Sequence, residues 1–216
     1  GAMRPSTAIS ADGPLNLLNA VRTVLSPDAR GKGVLIVLND EINTARDGTK
    51  TNTYRVETFQ SPELGWLGYI DADKVTFYRS PTRRHTARSE FDLEGVATLP
   101  RVDILYCYIE PNPALIAAVV SSGAEGIVFA GTGAGFLSSV ERDALAPVLA
   151  LPPDRRPVIV RSNRTGNGRV VPRTEYDQLG LVPGDTLNPQ KARILLMLAL
   201  TRTRDLDEIR RIFNEY

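Results

Sequence analysis

The chain of 216 residues carries 26 Lys and Arg against 25 Asp and Glu, a net charge of +1 that offers no basic face to nucleic acid. With one cysteine and one histidine it holds no disulfide framework and no Cys/His metal site, so no metal and no cofactor are expected. No run of about 20 apolar residues spans a bilayer, and the balance of residue types is that of a soluble globular chain of one large or two smaller domains.

Residues 1–11 read as a loop. Asp12 and Pro14 open a helix whose apolar positions, Leu17, Leu18, Val21, Val24 and Leu25, share one face, and Pro27 stops it. Val34 to Leu38 is an unbroken apolar run, which predicts a parallel strand buried on both faces. The polar stretch LNDEINTARDGTKTNT follows at its carboxyl end, where open α/β sheets place ligands. Val56–Phe59, Leu67–Ile70 and Val75–Tyr78 are short strand candidates. Residues 79–100, charged and without a sustained period, read as a linker.

A regular series then begins. Strands are expected at Val102–Ile109, Gly126–Ala130 and Pro157–Arg161. A helix over Pro113–Ser121 ends at Gly123. Ser138 with Glu141 forms a capping box, Asn188 and Pro189 start a helix with Ala192, Leu195, Leu196, Leu198 and Ala199 inward, and Asp205 with Glu208 caps a last helix carrying Ile209, Ile212 and Phe213. The alternation of β and α argues for an α/β fold, three layers with parallel sheets. Cys107, in an apolar strand, reads as a small core residue.

Several residues invite a chemical role. GTGAGF, Gly131 to Phe136, lacks the third glycine of a dinucleotide fingerprint and the GK[ST] of a P-loop, so a tight β–α turn is the better reading. His85 has no serine elbow to serve and reads as structural. The polar loop 163–186 fits a substrate lid and an irregular connection equally. Lys50 fits two descriptions: a turn lysine in solvent, or an amine that assists a hydroxyl nucleophile, with Asp40, Glu41 and Asp47 nearby in sequence.

GAMRPSTAISADGPLNLLNAV, GVLIVLNDEINTARDGTKTNT, LGYID, RRHT, VRSNRTGNG and LNPQKARILLMLALTRT, in this order from Gly1 onward, together resemble the bacterial type II L-asparaginases, including the glutaminase-asparaginase branch. The resemblance implies an amidohydrolase that converts L-asparagine, and in part of the family L-glutamine, to the acid and ammonia through a threonine acyl-enzyme, without cofactor. It implies residues 1–78 as the later part of an N-terminal domain, 79–100 as linker, and 101–216 as a smaller, flavodoxin-like C-terminal domain. The family's catalytic lysine falls on Lys50, with Asp47 and Thr49 in the same DxTKT motif. A backbone carbonyl that accepts the substrate amide falls on Ala2. Two positions that reach a neighbouring subunit's site fall on Glu175 and on Phe136, where the family has a polar residue and an aromatic ring cannot make the same contact. The nucleophile motifs TGGTIA and HGTDT do not occur in these residues, so the isolated chain is expected to be inactive and prone to aggregate. Two alternatives to an amidohydrolase are a non-catalytic portion that joins a complementary half or its own copies, and a small-ligand domain using the GTGAGF turn. The resemblance also implies a homotetramer built from intimate dimers, and a periplasmic setting with a cytoplasmic one open.

Overall fold

In the computed structural model, which describes residues 1–216, the first of two units, Gly1–Ser89, is built on a hairpin. Strand β1 (Leu35–Leu38) pairs antiparallel with β2 (Glu41–Thr44), Leu38 opposite Glu41. The parallel strand expected at Val34–Leu38 is therefore corrected. Asn39 and Asp40 have φ of 56° and 59°, the double left-handed conformation of a type I′ turn, and turn the chain straight back without a crossover. Strands β3 (Thr49–Lys50) and β4 (Phe59–Gln60) form a separate two-stranded ribbon, while β5 (Gly68–Ile70) and β6 (Val75–Phe77) complete an antiparallel sheet of order β1-β2-β5-β6. No strand pairs with the outer edge of β1. The core of this unit is small: Val37, Ile42, Leu67 and Ile70, with Ala20, Leu35, Val75 and Phe77 packed against them.

Helix α1 (Gly13–Leu25) has the expected bounds and carries Pro14 in its first turn, but its faces are the reverse of the apolar expectation. Asn16, Asn19 and Thr23 are buried, whereas Leu17, Leu18, Val21, Val24 and Leu25 are exposed, Val24 to 81%. The polar face packs inward because its groups are partnered. Asn16 Nδ2 donates to the Gly1 carbonyl at 2.9 Å, Asn19 Nδ2 donates to Asp40 Oδ1 at 2.6 Å, and Thr23 Oγ1 donates to the Asn19 carbonyl at 2.8 Å.

The second unit, Glu90–Tyr216, is a doubly covered parallel sheet of order β10-β9-β8-β7. Its strands are β7 (Val102–Tyr106), β8 (Gly126–Gly131), β9 (Val158–Asn163) and β10 (Val182–Pro183). Every residue of β8 and β9 is buried, which accounts for the apolar run of β8 and of Val158 to Val160, while the second half of β9 buries the polar Arg161, Ser162 and Asn163. Alternate residues feed two cores. Val128, Val158 and Val160 meet α5 (Pro189–Leu200) and α6 (Leu206–Glu215), and Ile127, Phe129 and Ile159 meet α2 (Ala114–Ser121) and α3 (Ser139–Leu149). The short α4 (Thr174–Asp177) interrupts the polar loop. The caps follow the sequence: Ser138 and Glu141 form a reciprocal capping box, Asn188 accepts from Lys191 N, and Asp205 accepts from Glu208 N. Cys107 is 1% exposed; burial, and next to it the Glu141 carboxylate, push its thiol well above the usual range, so it is inert packing.

Candidate active site

Lys50 ends β3, with Lys50 opposite Phe59 and Thr49 opposite Gln60. The turn leading into β3 is held by Asp47, whose Oδ2 accepts from Thr44 Oγ1 at 3.0 Å and whose Oδ1 accepts from Arg46 Nη1 at 2.9 Å. The backbone N–H of Asp47 donates back to Thr44 Oγ1 at 3.0 Å. Gly48 is required here: a Cβ would sit 2.9 Å from Ile36 Cδ1 and 3.0 Å from the Thr44 carbonyl. Beyond Lys50 the ribbon is closed by Thr51 N donating to the Thr58 carbonyl at 2.8 Å. The buried Thr58 hydroxyl accepts from Asn52 N at 2.6 Å and donates to the Asn52 carbonyl. Lys50 itself is exposed, and its ammonium has no ion-pair or hydrogen-bond partner within the chain. A lone amine on a cross-linked ribbon can serve as a proton donor or a point charge for a group brought to it.

The ribbon stands on buried polar residues that periodicity does not single out. Asn43 is 1% exposed; its Nδ2 donates to the Phe59 carbonyl and its Oδ1 accepts from the buried Ser61 hydroxyl at 2.7 Å. The amide of Asn43 on β2 and the hydroxyls of Thr58 and Ser61, which flank β4, are the sequence signal that could have marked this platform.

Ala2 is exposed in a segment ordered by Asp12. The Asp12 carboxylate does not cap its own helix; it accepts from Met3 N at 2.9 Å, from Arg4 N at 2.8 Å and from Asn16 Nδ2 at 3.0 Å. Burial raises its pKa, but those backbone N–H bonds, with the Asn16 amide, hold it below the ordinary aspartate value.

In the second unit, Phe136 and Glu175 come together through a residue that sequence reasoning did not single out. The Arg173 guanidinium lies 4.6 Å from the Phe136 ring centroid, and its Nη1 is 3.8 Å from Glu175 Oε1. Phe136 closes the Gly-rich turn, its N–H donating to the Thr132 carbonyl at 2.8 Å and its carbonyl accepting from Thr132 N at 3.0 Å. His85 Nδ1 lies 3.0 Å from Thr86 Oγ1, a local structural bond.

Residues 1–83 match the family profile described as "Asparaginase, N-terminal", and residues 101–213 the one described as "Glutaminase/Asparaginase C-terminal domain". Over 217 residues the chain is 50% identical to L-asparaginase 2 of Bacillus subtilis, covering 100% of this chain and 56% of that protein. It is 45% identical to L-asparaginase 2 of Escherichia coli and 44% identical to the glutaminase-asparaginase of Pseudomonas fluorescens, covering 62% and 59% of those proteins. A crystal structure of a probable cytoplasmic L-asparaginase from Campylobacter jejuni superposes with a TM-score of 0.95 at 44% identity, covering 100% of this chain and 70% of that one. The chain belongs to the glutaminase/asparaginase family. It spans less than two thirds of the length of those three relatives. No helix is long and apolar enough to cross a membrane.

Proposed function

We propose that this chain is the lysine-bearing portion of an L-asparaginase, an amidohydrolase acting on L-asparagine and, in a broader form, L-glutamine, releasing ammonia and the acid. The observation that carries the reading is Lys50: exposed, unpaired, and held on a ribbon fixed by Asp47 and the Thr58–Asn52 bonds. In this reading the Lys50 ammonium assists proton transfer at a threonine and an aspartate that these residues do not include. Thr49 keeps the ribbon in register, and the Ala2 carbonyl accepts a substrate-amide hydrogen bond. Phe136 and Glu175 face the site of a neighbouring copy in a homo-oligomer. The parts played are those of residues 1–78 as the remainder of the catalytic domain, 79–100 as linker and 101–216 as the second domain.

One observation favours a second reading, a non-catalytic portion that joins a complementary half or its own copies: the apolar face of α1 and the outer edge of β1 are both open. Ammonia release separates the two. The purified chain is assayed with L-asparagine and L-glutamine, alone and mixed with the N-terminal segment of the Bacillus subtilis relative. Release in the mixture, abolished by Lys50→Ala, supports the first reading, since the chain by itself holds neither that threonine nor that aspartate. No release in either arm supports the second. Release that survives Lys50→Ala sinks the role given to Lys50.

A further inference from the structure

Arg161 lies in the middle of β9, a strand buried at every residue, and is itself 0% exposed. A buried guanidinium is ordinarily matched by a carboxylate, yet no ion pair to Arg161 forms. Its Nη1 donates to the Gly135 carbonyl at 3.3 Å, its Nη2 to the Val171 carbonyl at 2.9 Å, and its Nε has no partner. The guanidinium carbon lies 4.1 Å from the ring centroid of Tyr176, itself 1% exposed. The Tyr176 hydroxyl in turn accepts from Leu137 N at 3.1 Å. Burial lowers the pKa of this guanidinium, an effect that the neighbouring Tyr176 and Asp177 oppose.

These contacts have one geometry in common. Gly135 and Leu137 flank Phe136, while Val171 and Tyr176 bracket Arg173 and Glu175. The Gly-rich turn and the α4 loop are distant in sequence; the Tyr176–Leu137 bond and the Arg173–Phe136 contact link them directly, and the Arg161 guanidinium donates to a carbonyl of each. The two segments approach closely here, since a Cβ on Gly135 would lie 2.7 Å from Val170 Cγ1. We propose that Arg161 is a positioning residue that locks the 131–137 turn and the 170–178 loop into one rigid platform, so that Phe136, Arg173 and Glu175 are presented together. This rests on the reading that Phe136 and Glu175 face substrate, and it goes beyond that reading by naming what sets their placement. An apolar side chain of similar volume would fill the same space at little cost to stability; what it would lose is the bond to two carbonyls at once.

The test uses the 216-residue chain with Arg161→Met and Arg161→Lys, followed by amide hydrogen exchange and thermal unfolding. In Arg161→Met, exchange at Phe136, Leu137 and residues 171–178 rises about tenfold in both segments together, while β8 and β9 stay protected. Arg161→Lys, which still donates but reaches one carbonyl at a time, recovers part of the protection and serves where the Met variant fails to fold. Exchange that rises in one segment only, in neither, or equally through the sheet overturns the proposal. In the mixture with the relative's N-terminal segment, Arg161→Met raises KM for L-asparagine about tenfold with kcat within about twofold. A fall in kcat at unchanged KM counts against positioning. An inactive parent mixture would contradict the proposed function, while the exchange measurement still decides the role of Arg161.

Discussion

Arg173 sits over the face of Phe136 at 4.6 Å and reaches Glu175 at 3.8 Å, so an aromatic ring and a carboxylate at two widely separated positions share one cation. An aromatic residue at 136 cannot offer the polar contact that the family resemblance implies there. It instead fixes a guanidinium beside Glu175. A double-mutant cycle of Phe136→Leu and Arg173→Gln, read by urea unfolding, is expected to give a coupling of about 0.5–1 kcal/mol, as for a partly exposed cation–π pair. Additive effects would mean that the two residues are merely adjacent.

The exposed face of α1 makes a second prediction. Leu17, Val21 and Val24 are 68%, 49% and 81% exposed, so Leu17→Lys, Val21→Glu and Val24→Lys are each expected to change stability by less than about 0.5 kcal/mol. Combined, they shift the chain toward monomer in sedimentation velocity, where the parent self-associates. Asn19→Ala does the opposite: it removes the bond to Asp40 from a buried site and costs about 1–2 kcal/mol. A parent that sediments as a single monomer would refute the association, and a costless Asn19→Ala would refute the polar seam.

The same helix shows what sequence can and cannot say. Its bounds and its apolar stripe were both readable, because a period of 3.6 identifies residues that share a face. Periodicity does not say which face turns inward when the polar face can satisfy its amides and hydroxyl on Gly1, Asp40 and its own backbone. The β1 strand misled for a related reason: five apolar residues in a row look buried on both sides, while the direction of pairing is set by the two left-handed residues Asn39 and Asp40. In the second unit the caps and the cores of three strands agreed with the structure because both depend on neighbours in sequence, while β7 stops at Tyr106 short of Ile109 and the two-residue β10 lies inside the stretch read as a loop. At the candidate site, Lys50 and Asp47 stood out through their motif. Arg173 and Arg161 did not, because the partners that matter lie ten or more residues away in turns and loops: Phe136 for Arg173, Gly135 and Val171 for Arg161.

Two carboxylates should give opposite pH dependences. Backbone N–H bonds outweigh burial at Asp12 and hold its folded pKa below the ordinary 3.8. Its contribution is thus present above 3.8 and lost as pH falls through the folded value. Asp12→Asn costs about 1 kcal/mol at pH 7, modest because solvent reaches the carboxylate, and the difference shrinks below pH 3.8. Glu41 is the reverse. Burial raises its pKa above the ordinary 4.5, the Trp66 indole opposes this, and the charges of Glu57 and Asp40 add to it. Its favourable contribution is present below 4.5 and lost as pH rises through the folded value, so Glu41→Gln stabilises the chain at pH 7 and adds nothing near pH 4. Urea midpoints across pH 3–8 check both signs; parallel curves for the parent and either variant would refute the corresponding assignment.

Gly131 and Gly133 lie two residues apart in the same turn, and glycine is needed at each for a different reason. At Gly131 the space is missing: a Cβ would lie 2.6 Å from the carbonyl carbon of Gly135 and 2.7 Å from its Cα, both backbone atoms that cannot step aside. At Gly133 the space is open, the nearest atom being Phe136 Cδ2 at 3.9 Å, but φ is 49°, a conformation that side-chain-bearing residues adopt at a penalty. Gly131→Ala is expected to cost about 3 kcal/mol, since the turn must open and the Thr132–Phe136 bonds go with it. Gly133→Ala costs about 1 kcal/mol, and Gly133→Asn less, because asparagine tolerates the left-handed region. Urea unfolding of the three variants orders these costs. Equal losses for Gly131→Ala and Gly133→Ala would mean that backbone strain, and not the approach of the two chain segments, governs the turn that carries Phe136.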